Sequence, residues 1–251
     1  MTFRSTLPLM SELEAPSSAA DSSSRHANQG VWGIVIWAFL VWFTSAFSAA
    51  IFAFLNKDFD GHSWRTLLIL NSMLAIGSGW LLVRDRISWK AAGICFPEGS
   101  ISWLFNLALL VVVQLLGTCT LFLLRAPDSF VSSLSIGQRL LWVCALAPVT
   151  EEVFARGWFQ TAFFRAVGSG RANSTLLASA AVFAGTHLFV STSLLRTSVT
   201  VIAAFLSGII FARVRQASGS LLTAVLMHSG FNLSGWIMAK PLGLLLLRIR
   251  G

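Results

Sequence analysis

The chain has 251 residues, 55% hydrophobic and 11% charged, with a net charge of +8 and a mean hydropathy of +0.75. A soluble domain carries roughly 25% charged residues, so this composition excludes that class and points to a membrane protein. The positive charge does not mark a nucleic-acid binder: Lys and Arg punctuate the connections between apolar runs and form no basic stripe interleaved with aromatics. They read instead as topology signals and contacts to anionic lipid.

Residues 1–28 are rich in Ser and Ala, carry Pro8 and Pro16, and show no helical or strand period. They contain no apolar core long enough for a signal peptide. A disordered tail is expected there, leaving 29–251 as a single transmembrane domain. Apolar runs follow near 31–55, 65–83, 101–124, 138–165, 174–195, 197–213 and 220–239. About 20 apolar residues span a bilayer as a helix, and a helix leaves no backbone group unpaired in hydrocarbon. Barrel strands would alternate, and these runs do not. The expected fold is therefore all-α, a polytopic membrane bundle of about seven to eight transmembrane helices. The closing stretch 242–250 is too short to span alone. It either extends the last helix past Pro241 or lies at the interface. Trp32, Trp64, Trp103 and Trp236 lie near run edges, where amphipathic rings sit at headgroup level. The short basic connections near 84–90, 165–171 and 213–215 favour a cytoplasmic N-terminus under the positive-inside rule. Cys95, Cys119 and Cys144 are odd in number and lack CxxC or metal-type spacing, so no disulfide framework is expected.

Ionisable groups inside the runs are few. The fourth run holds Glu151, Glu152 and Arg156, the fifth His187 and the seventh His228. Such residues are costly in a bilayer, face the bundle interior and are functional candidates by default. Glu152 and Arg156 are i,i+4 and share a helix face. Glu151 is turned about 100° away, free to face a reacting water. Phe183 and His187 are also i,i+4, as are His228 and Asn232. Taken singly, each has a plainer reading: Glu152–Arg156 as a salt bridge, a histidine as interhelical glue, Phe183 as packing. A merely structural ion pair is poor value inside an apolar span, and two His, two Glu and an Asn on three helices read together as a site.

The chemistry that fits is hydrolysis without a covalent intermediate. A carboxylate and a neutral His take a proton from water, and a second His and an Asn amide stabilise the oxyanion. No GxSxG elbow supports a serine nucleophile. Two His and a Glu are also a zinc ligand set. Glu151, His187 and His228 would then be the ligands, although HExxH is absent. Both readings stay open on the residues alone.

The motifs Glu151-Glu152-Val153-Phe154-Ala155-Arg156, Phe183-Ala184-Gly185-Thr186-His187 and His228-Ser229-Gly230-Phe231-Asn232 match EExxxR, FxxxH and HxxxN in order and spacing. In this the chain resembles the CPBP family of intramembrane proteases, which includes the type II CAAX prenyl endopeptidases and the Abi proteins. The resemblance covers 138–239. It implies a metal-free, glutamate-dependent protease sunk in the bilayer, its active site open to the cytoplasmic side. By position, Glu151 would activate water, His187 would help place it, and His228 and Asn232 would form the oxyanion site. Glu152, Arg156 and Phe183 would be supporting residues. The implied partner is a membrane-associated protein or peptide substrate, with the bilayer around it and no nucleic acid. The compact single-domain design points to a prokaryotic cytoplasmic (inner) membrane. Two other classes compete: a non-catalytic protein of the same fold with an immunity or scaffolding role, and a proton-coupled transporter using the Glu and His residues as a relay.

Overall fold

A computed structural model describes residues 23–55, 64–97, 102–123, 135–188 and 193–250. Among the described residues every regular element is helical. In chain order they are α1 (Ser23–Leu55), α2 (Trp64–Arg84), the one-turn α3 (Trp89–Ala92), α4 (Trp103–Leu123), α5 (136–167), α6 (Ala172–Gly185), α7 (Leu194–Ser218) and α8 (Leu221–Arg250). This is the all-α membrane bundle that the apolar runs predict. Gly30–Leu55, Arg65–Arg84, Trp103–Leu121, Leu194–Ser218 and Leu221–Met238 are long and apolar enough to cross a membrane.

Local chemistry sets the helix ends. Ser88 caps α3 by accepting from the Ala91 amide, and Gly93, at φ 82°, closes it in the left-handed region. Ser135 and Gln138 form a reciprocal capping box at the start of α5. Gly168, at φ 81°, stops α5. Gly219, at φ 68°, makes the tight turn from α7 into α8.

The fourth apolar run is not a uniform helix. α5 alternates α segments (Ile136–Leu141, Ala147–Glu152, Thr161–Val167) with π-helical stretches (Trp142–Leu146, Val153–Gln160). Pro148 explains the first. It has no N–H to donate, and its ring would collide with the carbonyl four residues back, that of Cys144. A wide turn just before it relieves the clash, and the Ala147 amide donates five residues back to the Trp142 carbonyl.

Other differences from the sequence reading are local. α1 begins at Ser23, within the stretch expected as a tail, and residues 1–22 lie outside the described set. α8 runs on past Pro241 to Arg250, the first of the two options for 242–250. The expected run 174–195 is divided. α6 ends at Gly185, and 14 residues at 1.5 Å each give about 21 Å, short of the roughly 30 Å hydrocarbon core.

α5 occupies the middle of the bundle, packing against α1, α2, α3, α6, α7 and α8. Its buried face, Phe154, Trp158 and Phe159, anchors the main apolar core with Phe183, Phe211 and Met227 from α6, α7 and α8. The ends of α1, α2, α5, α7 and α8 meet at one pole, beside α3. Arg215 Nη2 donates to the Ala91 carbonyl (2.9 Å) and Leu221 N to that of Gly93 (2.7 Å).

Candidate active site

The two glutamates sit on the short α segment Ala147–Glu152, between the two π-helical stretches. Successive residues there point in different directions, as the 3.6-residue period requires. Glu152 is fully buried, whereas the Glu151 side chain keeps 22% of its exposure.

Glu152 is the hub. Its Oε1 accepts from Arg156 Nη1 at 2.9 Å and from His228 Nδ1 at 2.9 Å. Arg156 is also fully buried, and its Nη2 donates to the Gly208 carbonyl on α7 at 2.9 Å. That reach depends on close packing: a Cβ on Gly208 would lie 3.2 Å from the Ala180 Cα and from the Phe183 ring. Phe183 also stacks on the guanidinium, 4.3 Å from its carbon to the ring centroid. The charge therefore has a carboxylate, a carbonyl and an aromatic face around it.

His228 is clamped as tightly. Its ring stacks on Phe211 (centroids 4.7 Å apart) and meets Phe183 edge-on at 5.3 Å. Because a carboxylate only accepts, the contact to Glu152 puts a hydrogen on Nδ1. Nε2 is left facing Glu151 Oε2 at 3.8 Å, too far for a direct hydrogen bond.

His187 lies in the turn just past α6 and keeps its i,i+4 partner, with its ring 4.9 Å from that of Phe183. Its Nδ1 is 3.0 Å from the Phe183 carbonyl and 3.1 Å from Thr186 Oγ1, whose own hydrogen goes to the same carbonyl at 2.7 Å. The carbonyl again assigns the hydrogen to Nδ1 and frees Nε2. Phe183 is the shared element, touching both histidines and Arg156.

Asn232 reaches the first π-helical stretch, where Nδ2 donates to the Val143 carbonyl at 2.8 Å. An amide nitrogen has two hydrogens, so one remains.

The structure thus joins Glu151, Glu152, Arg156, Phe183 and His228 in one connected cluster. It links His187 through Phe183 and seats Asn232 one turn along α8 from His228. Among the described residues no three His, Cys, Asp or Glu side chains are arranged to hold a metal ion, so the set Glu151, His187 and His228 is not preassembled as a ligand sphere.

Sequence reasoning missed Asn71. This buried α2 residue accepts at Oδ1 from Thr150 Oγ1 at 2.6 Å, immediately before Glu151. Its own amide is fixed on the Leu67 carbonyl at 2.9 Å. The signal in the sequence is an amide inside an apolar run, which a search for ionisable groups passes over. It also missed Ser179, whose hydroxyl donates at 3.0 Å to the Ala155 carbonyl in the second π-helical stretch.

Residues 134–234 match the family model described as Type II CAAX prenyl endopeptidase Rce1-like. No curated protein and no solved structure matches the chain.

Proposed function

Because residues 134–234 are a domain of the Rce1-like type II CAAX prenyl endopeptidase family, a family of proteases, we propose that this integral membrane protein is an endopeptidase in which Glu151 activates water against a peptide bond of a membrane-associated protein or peptide. The observation that carries the reading is the division between the two glutamates. Glu152 is sealed on Arg156 and His228, while Glu151 is partly exposed with His228 Nε2 at 3.8 Å.

In this mechanism Glu151 takes a proton from water as the water oxygen attacks the carbonyl carbon. His187, with Nδ1–H committed to Phe183, offers Nε2 as the acceptor that orients the same water. The tetrahedral oxyanion is met by the second N–H of Asn232 and by His228 Nε2–H. Donation from both nitrogens of His228 requires the imidazolium. The oxyanion then re-forms the carbonyl, the C–N bond breaks, and the proton on Glu151 passes to the leaving nitrogen.

The test is a comparison of membrane fractions from cells carrying wild type, Glu151→Gln or a deletion, with protein termini mapped by mass spectrometry. A new terminus present in wild type and missing from both others supports proteolysis and names the substrate. If wild type and Glu151→Gln give the same termini while the deletion retains a phenotype, the non-catalytic reading of the fold replaces this one.

A further inference from the structure

Away from the glutamate pair, a cleft of about 490 Å³ opens between the start of α1, the end of α2 and the end of α5. That volume falls within the roughly 300–1,000 Å³ of small-molecule sites. Gly33, Trp37, Arg84, Asp85, Ala162 and Arg165 line it. We infer that this cleft binds an anionic phospholipid, with the phosphate at Arg165 beside the Arg84–Asp85 pair and an acyl chain along the apolar wall of α1.

The charges are unequal in their freedom. Asp85 is fully engaged: Oδ1 accepts from Arg84 Nε at 2.6 Å, and Oδ2 accepts from Arg84 Nη2 at 3.0 Å and from the Trp158 indole at 2.7 Å. Arg84 packs in turn over the adjoining rings of Trp37 and Trp80, its guanidinium carbon 4.6 and 5.3 Å from their centroids. Its Nη1 is buried and has no partner among the described residues. Arg165 is exposed, with no ion pair or hydrogen bond among them. The cleft therefore holds one ion pair and one surplus cation, the charge that a phosphodiester matches.

Its location agrees. The same pole of the bundle exposes Arg86, Lys90, Arg171 and Arg213, and Asp85 is its one carboxylate among the described residues. A pole of that sign is drawn to a leaflet of anionic lipid. The wall that would meet the chain is membrane-facing: α1 exposes Ile36, Phe39 and Leu40 around Trp37. The space beside Gly33 is open: a Cβ built there meets nothing within 4 Å.

The test uses the purified full chain in phosphatidylcholine nanodiscs doped with phosphatidylglycerol, then transferred to detergent, with retained lipid counted by mass spectrometry. Wild type should retain phosphatidylglycerol over phosphatidylcholine. Arg165→Gln should lower that retention about fivefold, the factor expected for one cation near an anionic headgroup. Gly33→Leu, which fills the cleft, should lower it further, while Arg171→Gln, at the same pole but outside the cleft, should leave it unchanged. Equal losses for Arg165→Gln and Arg171→Gln would mean diffuse surface attraction and overturn the site. Displacement of the lipid by inorganic phosphate would mean a free-anion site and overturn the lipid assignment. Unaltered retention in both Arg165→Gln and Gly33→Leu would dispose of the proposal outright.

Discussion

One carboxylate oxygen, Glu152 Oε1, holds both the Arg156 guanidinium and His228 Nδ1, each at 2.9 Å, with no solvent contact. Removing one partner of such a buried pair costs about 3–5 kcal/mol, because the other charge stays buried without compensation. Glu152→Ala is therefore expected to lower folded yield and the thermal unfolding midpoint in detergent sharply. A variant that melts like wild type would contradict the hub role.

Glu151 has the opposite profile. It is partly exposed and its nearest charged contact is 3.8 Å away. Glu151→Gln should cost less stability than Glu152→Ala and yet reduce cleavage by about 100- to 10,000-fold, the usual loss with a general base. Unfolding and cleavage measured on the same preparation separate the two glutamates. Parallel losses in both would remove the division of labour.

The Thr150–Asn71 bond ties α5 to α2 at the residue before Glu151. Thr150→Val and Asn71→Ala are each expected to destabilise, and a double-mutant cycle should return a coupling of about 0.5–2 kcal/mol. Strict additivity would show that the 2.6 Å contact carries no energy of its own.

Gly93 is constrained twice. Its φ of 82° is unfavourable for a residue with a Cβ, and that Cβ would collide with the Arg215 guanidinium. Gly93→Ala should destabilise by more than about 1 kcal/mol and expose 86–97 to limited proteolysis. Gly79, whose Cβ would meet nothing within 4 Å, provides the control: Gly79→Ala in the interior of α2 should be neutral to stabilising.

Treatment with a chelator is expected to leave cleavage unchanged. Loss of activity restored by zinc would instead assign Glu151, His187 and His228 as ligands, with a rearrangement bringing the three together.

The bundle was legible because hydrocarbon admits few solutions. Runs of apolar residues had to be helices, and the charged residues inside them stood out against that background. Glu151, Glu152, Arg156, His187 and His228 were visible for this reason, and Asn232 through its spacing from His228. Two kinds of information were not visible. Asn71 is one polar amide among several in apolar segments, and nothing in its neighbours marks it as the acceptor for Thr150. The hydrogen placed on Nδ1 of His187 and of His228 depends on which oxygen lies beside it. For His228 that oxygen is on a residue 76 positions away, beyond the reach of any local pattern.

The two π-helical stretches of α5 have a consequence for how this helix tolerates change. Relative to a regular α-helix, each extra residue in a wide turn advances everything after it by about 100°. A helical wheel with one constant period, drawn from Ile136 to Val167, therefore slips out of phase across Trp142–Leu146 and again across Val153–Gln160. Where the two carboxylates point is fixed by residue count as well as by residue identity. Deleting a single residue from 142–146 would convert that turn to regular helix and rotate Glu151 and Glu152 away from His228 with every side chain of the motif still present.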